Sequence, residues 1–217
     1  MGEIFNLDNR FFQGLGKIID CACLSMIWLF FCIPVVTAGA STTALYYTIN
    51  KAIRYDRGHV WSQFWHAFRT NFKQSTLVGL LLLVMELFFG LDYYIMSQLA
   101  AAGDKMGAIH PIFLVFMALA VAWGIYLFPY IARFENSTKL ALKNAGLIAI
   151  ANLPWTVLLF VVLCVAILGV LCLPPMIFIL PAAYMLIANL ILEKIFRKYM
   201  SEEDIKAEEE RNRDFCN

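Results

Sequence analysis

Residues 33–47 read IPVVTAGASTTALYY. They follow an almost unbroken run of apolar side chains that begins at Ile18, and they then fill with Gly, Ala, Ser and Thr. Whether this small, hydroxylated stretch crosses a bilayer decides how many times the whole chain does so. The chain itself is 61% hydrophobic and 15% charged, against roughly 45–50% apolar residues in soluble domains. That balance marks an integral membrane protein of all-α class, because a chain immersed in lipid must satisfy its backbone polar groups within each helix.

A spanning helix needs about 20 mostly apolar residues. Segments 112–132 and 155–173 meet this without a charge, and 176–192 does so after the Pro174-Pro175 pair, which ends one helix and leaves room for a short turn. Segment 75–94 is interrupted only by Glu86, and segment 18–36 carries Asp20 near its start. An A-x-A pattern at Ala38-Gly39-Ala40 has the look of a signal-peptidase site. The preceding residues include Glu3 and Asp8 and form no compact basic region, so cleavage is rejected.

Positive charge sets the parity, since Lys and Arg collect in short cytoplasmic loops. Lys51, Arg54, Arg57, Arg69 and Lys73 form one basic block, Arg133, Lys139 and Lys143 a second, and Lys194, Arg197 and Lys198 a third. The linker 97–109 holds only Lys105, beside Asp104. Arg10 and Lys17 also prefer the cytoplasm, so something must return the chain between 18–36 and the first basic block. Residues 35–53 are the candidate, either as a thin span or as a re-entrant pair of half-helices broken around Pro34 and Thr43.

The composition around Gly39, Ser41, Thr42 and Thr43 suits a returning segment, because small residues permit close helix approach and hydroxyls can satisfy carbonyls freed near Pro34. The segment is expected to be hidden from lipid. The result is a polytopic helical bundle over 1–200 with six crossings and both termini inside, five with an external N-terminus being the alternative. All basic residues but Lys105 then share one side. Residues 201–217 form a charged cytoplasmic tail, opened by a capping-box-like Ser201 and Asp204.

Two segments read as amphipathic cytoplasmic helices. Trp61, Phe64, Trp65, Phe68 and Phe72 recur at helical spacing and predict a helix lying on the membrane surface. Residues 136–150, with Lys139 and Lys143 among leucines, predict a second surface helix or a cytoplasmic extension.

Glu86 falls near the middle of its span, where a charge costs about 2.5–3.5 kcal/mol on insertion scales. It reads either as a proton, cation or ligand-pocket acid, or as a structural hydrogen-bonding group with Asn189 or the Ser41–Thr43 cluster as partner. Asp20 and Asp92 lie near span ends, where they can snorkel. His59 and His66 are seven residues apart, about 10.5 Å along a helix and too far for one metal ion. The six cysteines read as small buried hydrophobes, apart from Cys216 in the tail.

A formal net charge of +1 gives no electrostatic case for a nucleic-acid partner. No zinc-protease, P-loop or nucleophile-elbow motif is present, so neither an enzyme nor a cofactor is expected.

IPVVTAGASTTALYY, with FPYIARFENSTKLALKNA at 128–145 and NLPW at 152–155, resembles the YesL-like family of small bacterial membrane proteins over most of residues 5–200. The family has no established biochemical activity and offers no catalytic residues to carry over. What the resemblance implies comes from gene neighbourhood: members are commonly encoded beside carbohydrate ABC-transporter components and glycan-degrading enzymes. An accessory or regulatory role in sugar uptake is therefore the expected function, with an ABC permease, another membrane protein or a second copy of the chain as partner. The other reading is a small secondary transporter or channel-like carrier using Glu86 and the broken helix near Pro34.

Overall fold

The computed structural model describes residues 10–55, 58–200, 202 and 205–206, with side chains from residue 16 onward. Arg57 and most of the charged tail, including Ser201 and Asp204, lie outside the described residues. The described chain is helical and contains no strand. Among the described residues seven α-helices follow in order: α1 (Arg10–Cys32), α2 (Ala38–Thr48), α3 (Val60–Ala101), α4 (His110–Arg133), α5 (Thr138–Ala151), α6 (Leu153–Cys172) and α7 (Leu180–Arg197). Among the described residues, three stretches are long and apolar enough to cross a membrane: α3, the 29-residue segment Lys105–Arg133 that contains α4, and α6.

The small, hydroxylated stretch after Pro34 folds as a short 3-10 turn (Val35–Thr37), then α2, then a π-helical turn (Ile49–Arg54). Of the 11 residues of α2, Gly39, Ala40, Ser41, Thr43, Ala44, Leu45, Tyr46 and Thr48 are buried. By contrast α6, the most continuously apolar helix, buries only Thr156 and Leu159. The two compositions explain each other. A helix enclosed by protein gains from small residues that let neighbours approach, whereas a helix facing hydrocarbon can be apolar all round. Residues 39–53 are thus mostly enclosed by the bundle, whereas Val35 and Val36, at the start of the segment, are 58% and 50% exposed.

Hydroxyls do satisfy carbonyls around Pro34, Thr37 from just before the Gly39–Thr43 stretch and Ser41 from within it. Thr37 donates to Pro34 O at 2.8 Å and lies against Phe31 O. Ser41 reaches Trp28 O at 3.1 Å, and Thr42 and Thr43 bond back to Ala38 O and Gly39 O.

The surface helix expected at Trp61–Lys73 is not a separate element. It is continuous with 75–94 inside α3, whose 42 residues reach about 63 Å, twice the hydrocarbon thickness. The physical reason is the sequence between Val60 and Val78, which has no Gly or Pro to break the helix. Nor do its aromatics share one membrane-facing stripe: Phe64 and Phe68 are buried in the protein, while Trp61 is 56% exposed.

α3 ends in a Schellman motif. Gly103, at φ +82°, donates to Ala100 O and Asp104 donates to Leu99 O, both at 3.0 Å. The Asp104 side chain then accepts from Met106 N at 2.9 Å and starts the turn into α4.

The 136–150 segment becomes α5, which buries Ala141, Ala145, Ile148 and Ala149. It is a packed extension rather than a free surface helix. After the prolines, the predicted span 176–192 begins with a 3-10 turn (Pro174–Phe178) and continues as α7 to Arg197.

Candidate functional site

α2 meets α3 through two glycines. A Cβ on Gly39 would strike the Ser75 carbonyl oxygen and come within 3.1 Å of Gly79 Cα, and one on Gly79 would lie equally close to Gly39 Cα. The Thr43 and Ser75 hydroxyls hydrogen-bond across the same contact at 2.9 Å. Of the residues expected to form a site, Gly39, Ser41 and Thr43 are therefore spent on helix approach. Thr42 donates to Ala38 O and accepts from Trp28 Nε1 at 3.2 Å.

Beside this contact a cavity of about 610 Å³ lies among α1, α2, α3, α4, α6 and α7. Its wall is almost wholly apolar. Glu86 faces it from α3, Thr42 from α2 and Tyr184 from α7. Glu86 Oε1 and Tyr184 Oη are buried and have no hydrogen-bond partner among the described residues. The Asn189 and Ser41–Thr43 partners expected for Glu86 are thus engaged elsewhere: Asn189 takes a hydrogen bond from Arg54 at 3.1 Å.

Asn189 belongs to a second, largely interior group that sequence reasoning does not find. At its centre is Glu193, 2% exposed. Its Oε1 accepts from Tyr46 Oη at 3.0 Å and from Asn50 Nδ2 at 3.2 Å. Its Oε2 lies 3.3 Å from Arg133 Nε. Tyr46, Asn50 and Arg54 recur every fourth residue along α2 and the π-helical turn, so they line one face, and Asn189 and Glu193 do the same on α7. This spacing of polar residues within apolar stretches is the signal that could have revealed the group. In sequence, Arg54 and Arg133 read instead as loop charges.

The two remaining motifs have structural employment nearby. The Tyr130 hydroxyl accepts from Asn136 Nδ2 at 2.9 Å and from Asn144 Nδ2 at 2.8 Å, tying α4 to α5. In NLPW, Asn152 ends α5, donates to Ile148 O and reaches the Tyr199 hydroxyl. Thr156, one residue past the motif, bonds to Ala149 O at 2.7 Å and to the Tyr126 hydroxyl at 2.9 Å.

Both the glycine contact and the Glu86 side of the cavity fall in one recognisable segment. Residues 21–93 match the family model described as "Protein of unknown function, DUF624". The match covers α1 from Cys21, all of α2 and α3 as far as Tyr93; Arg133, Tyr184 and Glu193 lie beyond it. No curated protein and no solved structure matches the chain. The DUF624 segment is consistent with the resemblance to the YesL-like proteins and assigns no chemistry to the site.

Proposed function

We propose that the chain is a non-enzymatic accessory or regulatory protein of the bacterial cytoplasmic membrane, working beside a carbohydrate ABC-type uptake system. Six crossings with both termini cytoplasmic suit the three long apolar helices, the sheltered α2 and the clustering of basic residues at helix ends. The observation that carries the reading is the first part of α3, which extends well past what a bilayer needs. Trp61 and Trp65 stack there with ring centroids 6.1 Å apart, and the Arg69 guanidinium sits 4.5 Å over the Trp65 ring. An exposed aromatic-and-arginine face has the composition of a protein-binding surface. Several polar side chains of the quoted motifs, among them Ser41, Thr43, Tyr130, Asn144 and Asn152, are meanwhile occupied in holding helices together.

The test is affinity purification of the full chain from its native membrane followed by mass spectrometry. Stoichiometric recovery of a sugar permease supports the proposal. Substrate flux in proteoliposomes containing this protein alone would replace it with the carrier reading, which the unpartnered Glu86 beside the broken Pro34 segment favours. Recovery of the chain only with further copies of itself would make it a homo-oligomer with no permease partner.

A further inference from the structure

The acidic tail and the basic end of the bundle are matched in charge. Residues 201–217 carry seven acidic side chains against three basic ones, a formal −4, which leaves +5 on the rest of a chain whose total is +1. On the described surface, Arg69 and Lys73 are exposed one turn apart on α3, in line with Trp61 and Trp65, and Lys139 and Lys143 are exposed one turn apart on α5. None of these four cations forms an ion pair among the described residues. Glu135, also exposed, adds one carboxylate beside Asn136, so the area stays net positive.

The point where the tail leaves the fold is tied to this area. Arg133 Nη2 lies 3.6 Å from Met200 Sδ. Three residues further on, the Asn136 carbonyl accepts from Gln74 Nε2 at 3.0 Å, next to Lys73 on α3 and three residues before Lys139. Followed along these links, Met200 and Lys73 are at most about 40 Å apart, and ten residues of chain reach about 33–36 Å before the side chains at either end add theirs. The run Glu208-Glu209-Glu210 is therefore within reach of Lys73 and Lys139, with Arg69 one turn further along α3. A tethered contact needs little intrinsic affinity, because a short linker gives it an effective concentration of about millimolar. Several exposed ion pairs of about 0–1 kcal/mol each then hold it, and salt screens them. We propose that the basic surface of Arg69, Lys73 and Lys139 is the docking site of the chain's own acidic tail, engaged through Glu208-Glu209-Glu210. A tail seated there covers part of the Trp61–Arg69 face, so truncation after Met200 should raise partner recovery. That consequence rests on the accessory reading, whereas the contact itself is tested without any partner.

The test uses the full chain in phosphatidylcholine nanodiscs, treated with a carbodiimide that joins a lysine amine to a carboxylate in direct contact, the linked peptides being mapped by mass spectrometry. Lys73 and Lys139 should each link to the peptide that carries Glu208-Glu209-Glu210. At about 1 M NaCl, where the Debye length is about 3 Å, the yield should fall at least fivefold. Arg69→Gln, which removes a charge but no crosslinking group, should lower the Lys73 yield at least threefold. Links confined to Lys194 and Lys198 on α7, or yields indifferent to both salt and Arg69→Gln, would overturn the docking site. In an equal mixture of ordinary and nitrogen-15 chains, links that join the two isotopes would overturn it in favour of a second copy's tail. Loss of the Lys73 and Lys139 links in nanodiscs containing phosphatidylglycerol would assign the surface to anionic lipid headgroups instead.

Discussion

Arg133, the last residue of α4, pairs with Glu193 of α7 at 3.3 Å, with 13% and 2% of the two side chains exposed. The pair closes a group that also holds Tyr46 and Asn50, so one carboxylate ties α2, the π-helical turn, α4 and α7 together. Removing one member of a buried pair strands the other and costs about 3–5 kcal/mol, whereas replacing both by apolar residues of similar size is often neutral. Glu193→Leu or Arg133→Met alone should lower the detergent melting temperature sharply. The double variant should recover part of the loss, though not all, because Tyr46 and Asn50 remain unpaired. Strictly additive single and double effects would show that the two side chains are not coupled.

Gly39→Ala tests the helix approach. The added methyl meets the Ser75 backbone oxygen and Gly79 Cα, neither of which can swing aside as a side chain would. Overpacking of this kind typically costs about 1–3 kcal/mol. Gly90→Ala is the control, because a Cβ there has only Met117 Cε, at 4.0 Å, for a neighbour. Thermal melts should separate the two variants clearly, and equal stability would dissolve the argument for a glycine contact.

What the sequence made legible follows from which signals are local. Helical content, the three apolar spans at 75–94, 112–132 and 155–173 and the sheltered character of the Gly39 to Thr43 stretch all depend on composition within one segment, and they appear in the fold. The continuity of α3 was hidden because aromatic periodicity before Ser75 resembles an interfacial helix, and only the missing breaker between Val60 and Val78 argues otherwise. The partners of Glu86 and Asn189 were illegible for another reason. Arg54 and Arg133 sit at helix ends, where a basic residue usually meets water, and their inward turn depends on Asn189 and Glu193, far along the chain on α7. The cavity is shared among six helices, so no single segment encodes it.

Six crossings make a concrete demand on topology. Reporter fusions after Asn6, Lys139 and Lys206 should all report cytoplasmic locations, and a fusion after Gly103, in the turn that ends α3, should be external. An external signal at Asn6 would leave residues 35–53 as a re-entrant element and reduce the crossings to five.

The exposed face at the start of α3 links fold to proposed role, and it can be damaged without touching the core. Trp61 is 56% exposed, and the Arg69 guanidinium rests on the Trp65 ring at 4.5 Å, a contact worth about 0.5–1 kcal/mol at an exposed site. Trp61→Ala combined with Arg69→Glu should therefore shift the melting temperature little while removing the central aromatic and reversing a charge on the face. If a partner docks there, its recovery in affinity purification should fall at least tenfold, since aromatic and arginine anchors commonly account for about 2 kcal/mol or more of an interface. Phe64→Ala makes the opposite comparison. Phe64 is fully buried, so that change should destabilise the bundle by about 3–5 kcal/mol and reduce partner recovery only in proportion to the folded protein that remains. Undiminished recovery with the Trp61 and Arg69 double variant would remove the face from any role in docking and leave the accessory reading without its main structural support.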